Sequence, residues 1–294
     1  MPKKPQRGPA FPLTLQSRPV TLNARRRRAM TNFSDRGFLA ENLSDALDSK
    51  REEWNALHEL SIKISEYAWQ LQSKLKIDKT NVNHLLAAAL FARTISIAQA
   101  FLLLVPKGMR QELKLLTRCL LEPLFPLVAI SKDENFARAF IASEEIERNK
   151  KLKGLLAIHA ATPIDGVAEK ELEAKIQESD KNIKENKISK VTVFRAAQLG
   201  GLEAWYKSLY SLMSDTLHAS PRSLEELMVI SEDRTKVEAL QNLPEFSEHP
   251  DLLTTVAEAL LHSILAVSTI FEIEVHEFVE CQSGKLRDVR TTSD

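Results

Sequence analysis

The chain has 294 residues, of which 44% are hydrophobic and 27% are charged, so it is long and apolar enough for a soluble globular protein with a substantial core. Eight glycines and twelve prolines are few for this length, and this scarcity of turn-forming residues disfavours all-β and α/β folds. Forty basic and forty acidic residues give no net charge, so the overall balance indicates neither a nucleic-acid-binding nor a membrane-surface protein. We therefore expect an all-α protein, a multi-helix bundle of long antiparallel helices.

The N-terminal residues 1–38 are predicted to be a disordered basic tail. Residues 1–36 hold nine basic side chains and one acidic side chain, with few large apolar residues among them. A run of four arginines would displace counterions from the phosphates of RNA or DNA, or bind an acidic partner; it consists of Arg25, Arg26, Arg27 and Arg28. A solvated leader with no partner is the alternative.

Apolar residues spaced by three, four and seven positions predict a series of long helices after the tail. The predicted helices cover residues 41–76, 80–105, 109–130, 132–160, 199–218 and 251–280. Residues 165–190 are highly charged and predict an exposed helix, either an arm of a helical hairpin or an insertion. We expect residues 39–284 to form a single helical domain, with a disordered tail at 285–294.

Several patterns bear on the cellular setting. Two cysteines, Cys119 and Cys281, cannot build a disulfide framework in so long a chain, which is typical of a reducing cytoplasm. The N-terminus lacks the apolar stretch of a signal peptide. The apolar stretch 85–105 is interrupted by polar residues such as Arg93 and Gln99, so we predict a core helix rather than a membrane span. A cytoplasmic, bacterial type of protein is the resulting expectation.

The predicted helix at 109–130 carries two charges in its apolar half. Arg118 and Glu122 are four residues apart and therefore lie on one helical face, within the stretch "LLTRCLLEPLFPLVAI". Buried charges are costly unless they are paired. Either the two side chains neutralise one another, or they also contact a Tyr, Ser or His from another helix.

The stretch "YSLMSDTLHASPRS" at 210–223 supplies such groups. Tyr210, Ser214 and His218 recur every fourth position and move from the apolar face of the helix towards its edge. Two structural roles compete with a site: His218 in a last turn is favoured by the helix dipole, and Ser220 before Pro221 is a suitable cap for a following helix.

These two motifs, together with the intervening "SKDENFARAFIASEEIERNKKL" at 131–152, resemble a bacterial helical domain family of unknown function. The resemblance covers about residues 85–275 and implies no reaction. It implies one polar cluster, whose members are Arg118, Glu122, Tyr210, Ser214, His218 and Ser220. Such domains are reminiscent of helical bundles in bacterial toxin and phage-defence systems, which is an analogy only.

His262 lies in the uncharged stretch "ALLHSILAVSTIF", so we predict that it is buried, either as a core histidine or beside the Arg118 cluster. No glycine-rich phosphate loop, His-Glu-x-x-His or Gly-x-Ser-x-Gly motif is found. The pairs formed by Glu258 with His262 and Glu272 with His276 are one residue too widely spaced for a di-iron bundle. We therefore expect no metal and no cofactor.

The sequence leaves three functional hypotheses open. The first is a binding or regulatory module, related by analogy to stress or phage defence, whose polar cluster binds an unknown small ligand or a protein partner. The second is a metal-independent ribonuclease-like or other hydrolytic enzyme, with His218 as acid and base, Arg118 holding an anion, and Glu122 and Tyr210 assisting. The third is a scaffold whose polar residues fix helix register. Enzymatic activity and oligomeric state stay open.

Overall fold

The computed structural model describes residues 24–41, 43–49, 51–166, 168–217, 224–231, 233, 235–240 and 243–291. Within these ranges the regular secondary structure is helical apart from two short strands, which confirms the predicted all-α class. The helices are α1 (Ala24–Arg36), α2 (Leu43–Leu47), α3 (Arg51–Gln72), α4 (Val82–Leu104), α5 (Arg110–Ile130), α6 (Phe136–Ala161), α7 (Glu169–Glu185), α8 (Val193–Leu199), α9 (Glu203–Trp205), α10 (Ser211–Leu217), α11 (His249–Phe271) and α12 (His276–Thr291).

Four long helices, α3, α4, α5 and α11, pack against one another and enclose the main core. Large side chains such as Trp54, Phe91, Phe101 and Phe125 are fully buried between them. Each of these helices presents apolar residues at helical spacing, and burial of that surface is the main stabilising contribution. The helices α8 and α10 lie on the outer side of α5.

Helix α5 continues through Pro123 and Pro126. A proline has no N–H, so neither residue completes the helical hydrogen bond to the carbonyl four residues earlier, which belongs to Cys119 and Glu122 respectively. Packing compensates for these lost bonds, because every residue from Pro123 to Ile130 is buried. The sequence-predicted helix at 109–130 is thereby confirmed.

The charged segment predicted at 165–190 forms α7, which packs against α6 as the second arm of a helical hairpin. Its thin apolar stripe, Leu172 and Ile176, is buried. At the same interface, buried Asn149 donates a hydrogen bond to the Ile176 carbonyl at 3.4 Å.

Two predicted long helices are each divided in the structure. The predicted helix at 41–76 becomes α2, which ends at Leu47, and α3, which begins at Arg51; Asp48, just after α2, accepts a hydrogen bond from Trp54 Nε1. The predicted helix at 251–280 becomes α11 and α12, because Glu272 adopts a left-handed conformation with φ of 54°. Periodicity continues across both breaks, so the sequence pattern alone does not reveal them.

The segments predicted to be disordered contain helix wherever the structure describes them. Helix α1 occupies 24–36, where Phe33 packs edge-on against Phe38 and, with Leu43, forms a small separate apolar cluster. Helix α12 extends to Thr291, and buried Leu286 anchors its later half. Residues 1–23 and 292–294 lie outside the described part of the chain.

A short antiparallel hairpin, β1 (Met228–Ile230) and β2 (Val237–Leu240), lies between α10 and α11. The sequence pattern did not predict it, because the strands are only three and four residues long. Ile230, Val237 and Leu240 are each at least 40% exposed.

By length and composition, Val82–Lys107 and α11 could each cross a membrane. In their most apolar stretches, 44% and 72% of residues are buried inside the protein. Both segments contribute side chains to the main core, and the core helices of a soluble protein have the same length and composition.

Candidate functional site

The polar cluster forms where the segment 203–217 crosses α5. Arg118 of α5 is buried, with only 7% of its side chain exposed. Its Nη1 donates a hydrogen bond to Glu122 Oε1 at 2.7 Å, one helical turn later. Its Nε donates to Ser214 Oγ of α10 at 3.1 Å. The buried guanidinium therefore joins two helices through one ion pair and one neutral acceptor.

Tyr210 completes this network, which we call the Arg118 cluster and which consists of Arg118, Glu122, Tyr210 and Ser214. The Tyr210 hydroxyl donates to Glu122 Oε1 at 2.7 Å. The guanidinium carbon of Arg118 lies 3.1 Å from the centre of the tyrosine ring, a cation–π contact. Ser214 Oγ in turn donates to the Tyr210 carbonyl at 2.7 Å. Each of the four residues therefore contacts at least two of the others.

The segment that carries Tyr210 has unusual backbone geometry. Residues Tyr206–Tyr210 form a π-helical turn between α9 and α10, and such turns are rare and often found at functional sites. The wider turn stacks the rings of Tyr206 and Tyr210, with centroids 4.7 Å apart and an angle of 20° between them. Phe125 of α5 packs against both rings. Aromatic packing therefore fixes the position from which the Tyr210 hydroxyl reaches Glu122.

Glu122 is the charged member of the cluster that faces water. Glu122 is 45% exposed, and the two hydrogen bonds that it receives from described residues both end on Oε1. Burial, followed by the hydrogen bond to the Glu122 carboxylate, raises the pKa of Tyr210 above its ordinary value of 10.0. The phenol therefore stays protonated at neutral pH and acts as a donor.

The remaining sequence-predicted site residues are placed differently. His218 and Ser220 lie outside the described residues. His262 packs edge-on against Trp205, with ring centroids 5.5 Å apart, and burial followed by the charge of Lys132 lowers the pKa of His262. No hydrogen bond between His262 and the Arg118 cluster occurs among the described residues. The His262 side chain is half-buried, and its role, as a core histidine or beside the Arg118 cluster, stays a prediction.

Sequence reasoning missed a row of charges next to the cluster. Arg110 and Lys114 precede Arg118 at steps of four along α5. Both pair with Glu226, at 3.0 and 3.4 Å, and with Glu248, at 3.4 and 3.0 Å. The spacing along α5 was a usable signal for the basic row, but the two carboxylates come from distant parts of the chain. This network ties α5 to the start of α11 and to the segment before β1.

Comparison with protein families gives one match. The model of a family of unknown function, DUF5677, covers residues 84–236. The chain belongs to this family. The matched region contains all four members of the Arg118 cluster and ends before the predicted resemblance does, at 236 rather than about 275. Comparisons with curated proteins and with solved structures give no match.

The Arg118 cluster contains an ion pair with no net charge, and the carboxylate of that pair is partly exposed to solvent. Among the described residues, no group of three or more His, Cys, Asp or Glu side chains is arranged to hold a metal ion. The guanidinium is buried and donates to Glu122 and Ser214, and both hydrogen bonds that Glu122 accepts from described residues end on Oε1 rather than Oε2. The arrangement is suited to accept a hydrogen bond from a ligand at a fixed position.

Proposed function

We propose that this protein is a binding module, and that the Arg118 cluster is its recognition site. In this proposal the buried guanidinium and the Tyr210 hydroxyl hold one oxygen of Glu122, and the other oxygen accepts a hydrogen bond from the ligand. The ligand is a small molecule or a protein segment that carries an N–H or O–H donor. The contrast in exposure between Glu122, at 45%, and Arg118, at 7%, is the observation on which the proposal rests.

Preorganisation supports this proposal. A carboxylate held by a charged donor and a phenol loses little conformational freedom when a ligand arrives, so less of the binding free energy is spent on ordering it. The π-helical turn and the stack of Tyr206 on Tyr210 restrict the movement of the Tyr210 hydroxyl, which donates to Glu122, in the same way. A purely structural ion pair does not require that the carboxylate be left half-exposed.

The contacts favour binding over hydrolysis. Arg118 already donates to Glu122 and Ser214, so it is poorly placed to hold a substrate anion. Burial raises the pKa of Tyr210, so its hydroxyl stays protonated at neutral pH and does not act as a base. Glu122 already accepts hydrogen bonds from Arg118 and Tyr210 on Oε1. The hydrolytic alternative then depends on His218, which lies outside the described residues.

Ligand-observed NMR with a defined mixture of the twenty amino acids, the common nucleosides and spermidine tests the proposal. We expect at least one donor-bearing compound to bind the wild-type protein and to lose binding in Glu122→Gln, which removes the charge but keeps the side-chain shape. The matched control is Glu112→Gln, an exposed acid on the same helix, which should bind as the wild type does. Equal binding by Glu122→Gln would contradict the proposal.

The hydrolytic alternative is tested separately. Wild-type protein and His218→Ala are incubated with a pool of RNA and with nucleotides, and products are followed by chromatography. Turnover by the wild type that disappears in His218→Ala would favour an enzyme over a binding module. The cytoplasmic setting and the regulatory, stress and phage-defence roles stay predictions from composition and family analogy.

A further inference from the structure

The first helix of the described chain is strongly basic. Helix α1 contains five arginines and one aspartate among its 13 residues, a net charge of +4, and four of the arginines are consecutive, at positions 25–28. Residues 1–36 together carry a net charge of +8, so residues 37–294 carry −8 in a chain that is neutral overall. The positive charge is therefore concentrated at one end of the chain, outside the region 84–236 that the family model covers.

Helix α1 is anchored to the protein by a residue in its second half. Phe33 is buried and packs edge-on against Phe38, with ring centroids 5.3 Å apart. Together with Ala40 and Leu43, Phe33 forms an apolar cluster that is separate from the main core. The neighbours against which α1 packs most extensively are the short turn Gly37–Leu39 and α2. The arginine run lies in the first half of α1 and therefore precedes this anchor.

The arginines at 25–28 do not favour the helix that contains them. Cations near a helix N-terminus interact unfavourably with the helix dipole, and no acidic residue occurs in the first turn of α1. Arg25 and Arg28 are three positions apart, a spacing at which like charges on a helix repel each other. Residues that break such local rules without a structural gain are expected at functional positions. An anionic partner at this end of α1 would offset both unfavourable interactions.

A phosphate backbone matches α1 better than a lipid surface does. Every basic residue of α1 is an arginine, and the planar guanidinium pairs with phosphate through two parallel hydrogen bonds. A helix that lies in a membrane surface needs large apolar residues opposite its charges, but Phe33 already belongs to the apolar cluster. Consecutive helical positions are roughly 100° apart, so residues 25–28 surround the helix axis. Such a distribution suits a helix with phosphates on both sides, as in a groove of a duplex.

We propose that α1 binds the phosphate backbone of a nucleic acid, and that the arginines at 25–28 neutralise phosphates without reading the base sequence. Each neutralised phosphate releases counterions, so the logarithm of the affinity falls with the logarithm of the salt concentration, by about 0.9 per phosphate on duplex DNA and about 0.7 on single strands. Four such contacts would lower the affinity for duplex DNA about 100-fold between about 50 and 200 mM salt. This binding is independent of that proposed for the Arg118 cluster.

Fluorescence anisotropy of a labelled DNA duplex and a labelled single-stranded RNA measures binding by the full chain between about 50 and 200 mM potassium chloride. The test variant replaces the arginine run with glutamine, which forms helices about as well as arginine. It carries Arg25→Gln, Arg26→Gln, Arg27→Gln and Arg28→Gln. The matched control removes the same charge from exposed positions of α7. It carries Lys170→Gln, Lys175→Gln, Lys181→Gln and Lys184→Gln. Poly-glutamate is the competitor that represents an acidic protein, and circular dichroism checks that both variants fold.

We expect the wild type to bind nucleic acid at about 50 mM salt, and the test variant to bind at least about tenfold more weakly, with a salt slope smaller in magnitude by about 2–4. The α7 control should keep the affinity and slope of the wild type. The probe that is bound more tightly at equal salt identifies DNA or RNA as the partner.

Four results would overturn the proposal. They are the absence of wild-type binding to both probes, equal slopes in the wild type and the test variant, an equal loss in the α7 control, and tighter binding of poly-glutamate than of either nucleic acid, which would indicate an acidic protein partner. Because Glu122 plays no part in this binding, Glu122→Gln should bind both probes as the wild type does. The outcome therefore stays separable from that of the Arg118 cluster.

Discussion

Replacing Arg118 with methionine removes the central member of the Arg118 cluster while keeping an apolar stem of similar length. The substitution deletes the charged hydrogen bond to Glu122, the bond to Ser214 and the cation–π contact with Tyr210. A charged hydrogen bond contributes roughly 1.5–3 kcal/mol, and a partly buried cation–π contact about 0.5–2 kcal/mol.

The loss should be smaller than the sum of these contributions. Breaking a fully buried ion pair costs roughly 3–5 kcal/mol, because the remaining charge is stranded away from water. Glu122 is 45% exposed, so water hydrates it once the guanidinium is gone. We therefore expect Arg118→Met to lower the free energy of unfolding by about 2–3 kcal/mol.

Urea denaturation followed by circular dichroism measures this loss, with the wild type and variant fitted to a common slope. The matched control is Arg148→Met, because the Arg148 side chain is 65% exposed and pairs with Glu145 three residues earlier. We expect a change of no more than about 0.5 kcal/mol for this surface pair. A similarly small change for Arg118→Met would show that the guanidinium does not stabilise the contact between α5 and α10, and would refute the reasoning.

Three further changes have defined outcomes. Tyr210→Phe removes only the hydroxyl and should destabilise by about 1 kcal/mol in urea denaturation; no loss would mean that its bond to Glu122 is not formed. Gly108→Ala should destabilise more than Gly201→Ala: both glycines have positive φ, but a Cβ at Gly108 would lie 2.8 Å from a Phe246 ring carbon whereas Gly201 faces open space. Equal losses would contradict this. Burial lowers the pKa of His249 below 6.5, so its stabilisation is complete above pH 6.5 and is lost as the pH falls through the folded-state pKa. The urea midpoint should fall from pH 7.5 to 5.5, and less steeply in His249→Gln; parallel pH profiles would exclude this contribution.

The sequence predicts most of the helices because their apolar residues follow the helical period. It fails where two helices follow one another in phase, as between α2 and α3 and at Glu272. There the break depends on a local contact or a single left-handed residue, neither of which alters the hydrophobic pattern. The hairpin at 228–240 is missed for a related reason, since strands of three and four residues carry too few positions to show alternation.

The Arg118 cluster was predictable in composition but not in geometry. Two charges on an apolar helix require partners, and Tyr210 and Ser214 at a spacing of four indicate a polar row on another helix. The π-helical turn at Tyr206–Tyr210 could not be read from the sequence, because no residue type specifies it.

The central claim is that the Arg118 cluster acts as one unit that holds the Glu122 carboxylate. A double-mutant cycle with Glu122→Gln and Tyr210→Phe tests it most directly, since both substitutions preserve shape and the two side chains meet at 2.7 Å. We predict a coupling free energy of about 0.5–1.5 kcal/mol from urea denaturation of the four proteins. Additivity within about 0.3 kcal/mol would contradict the claim.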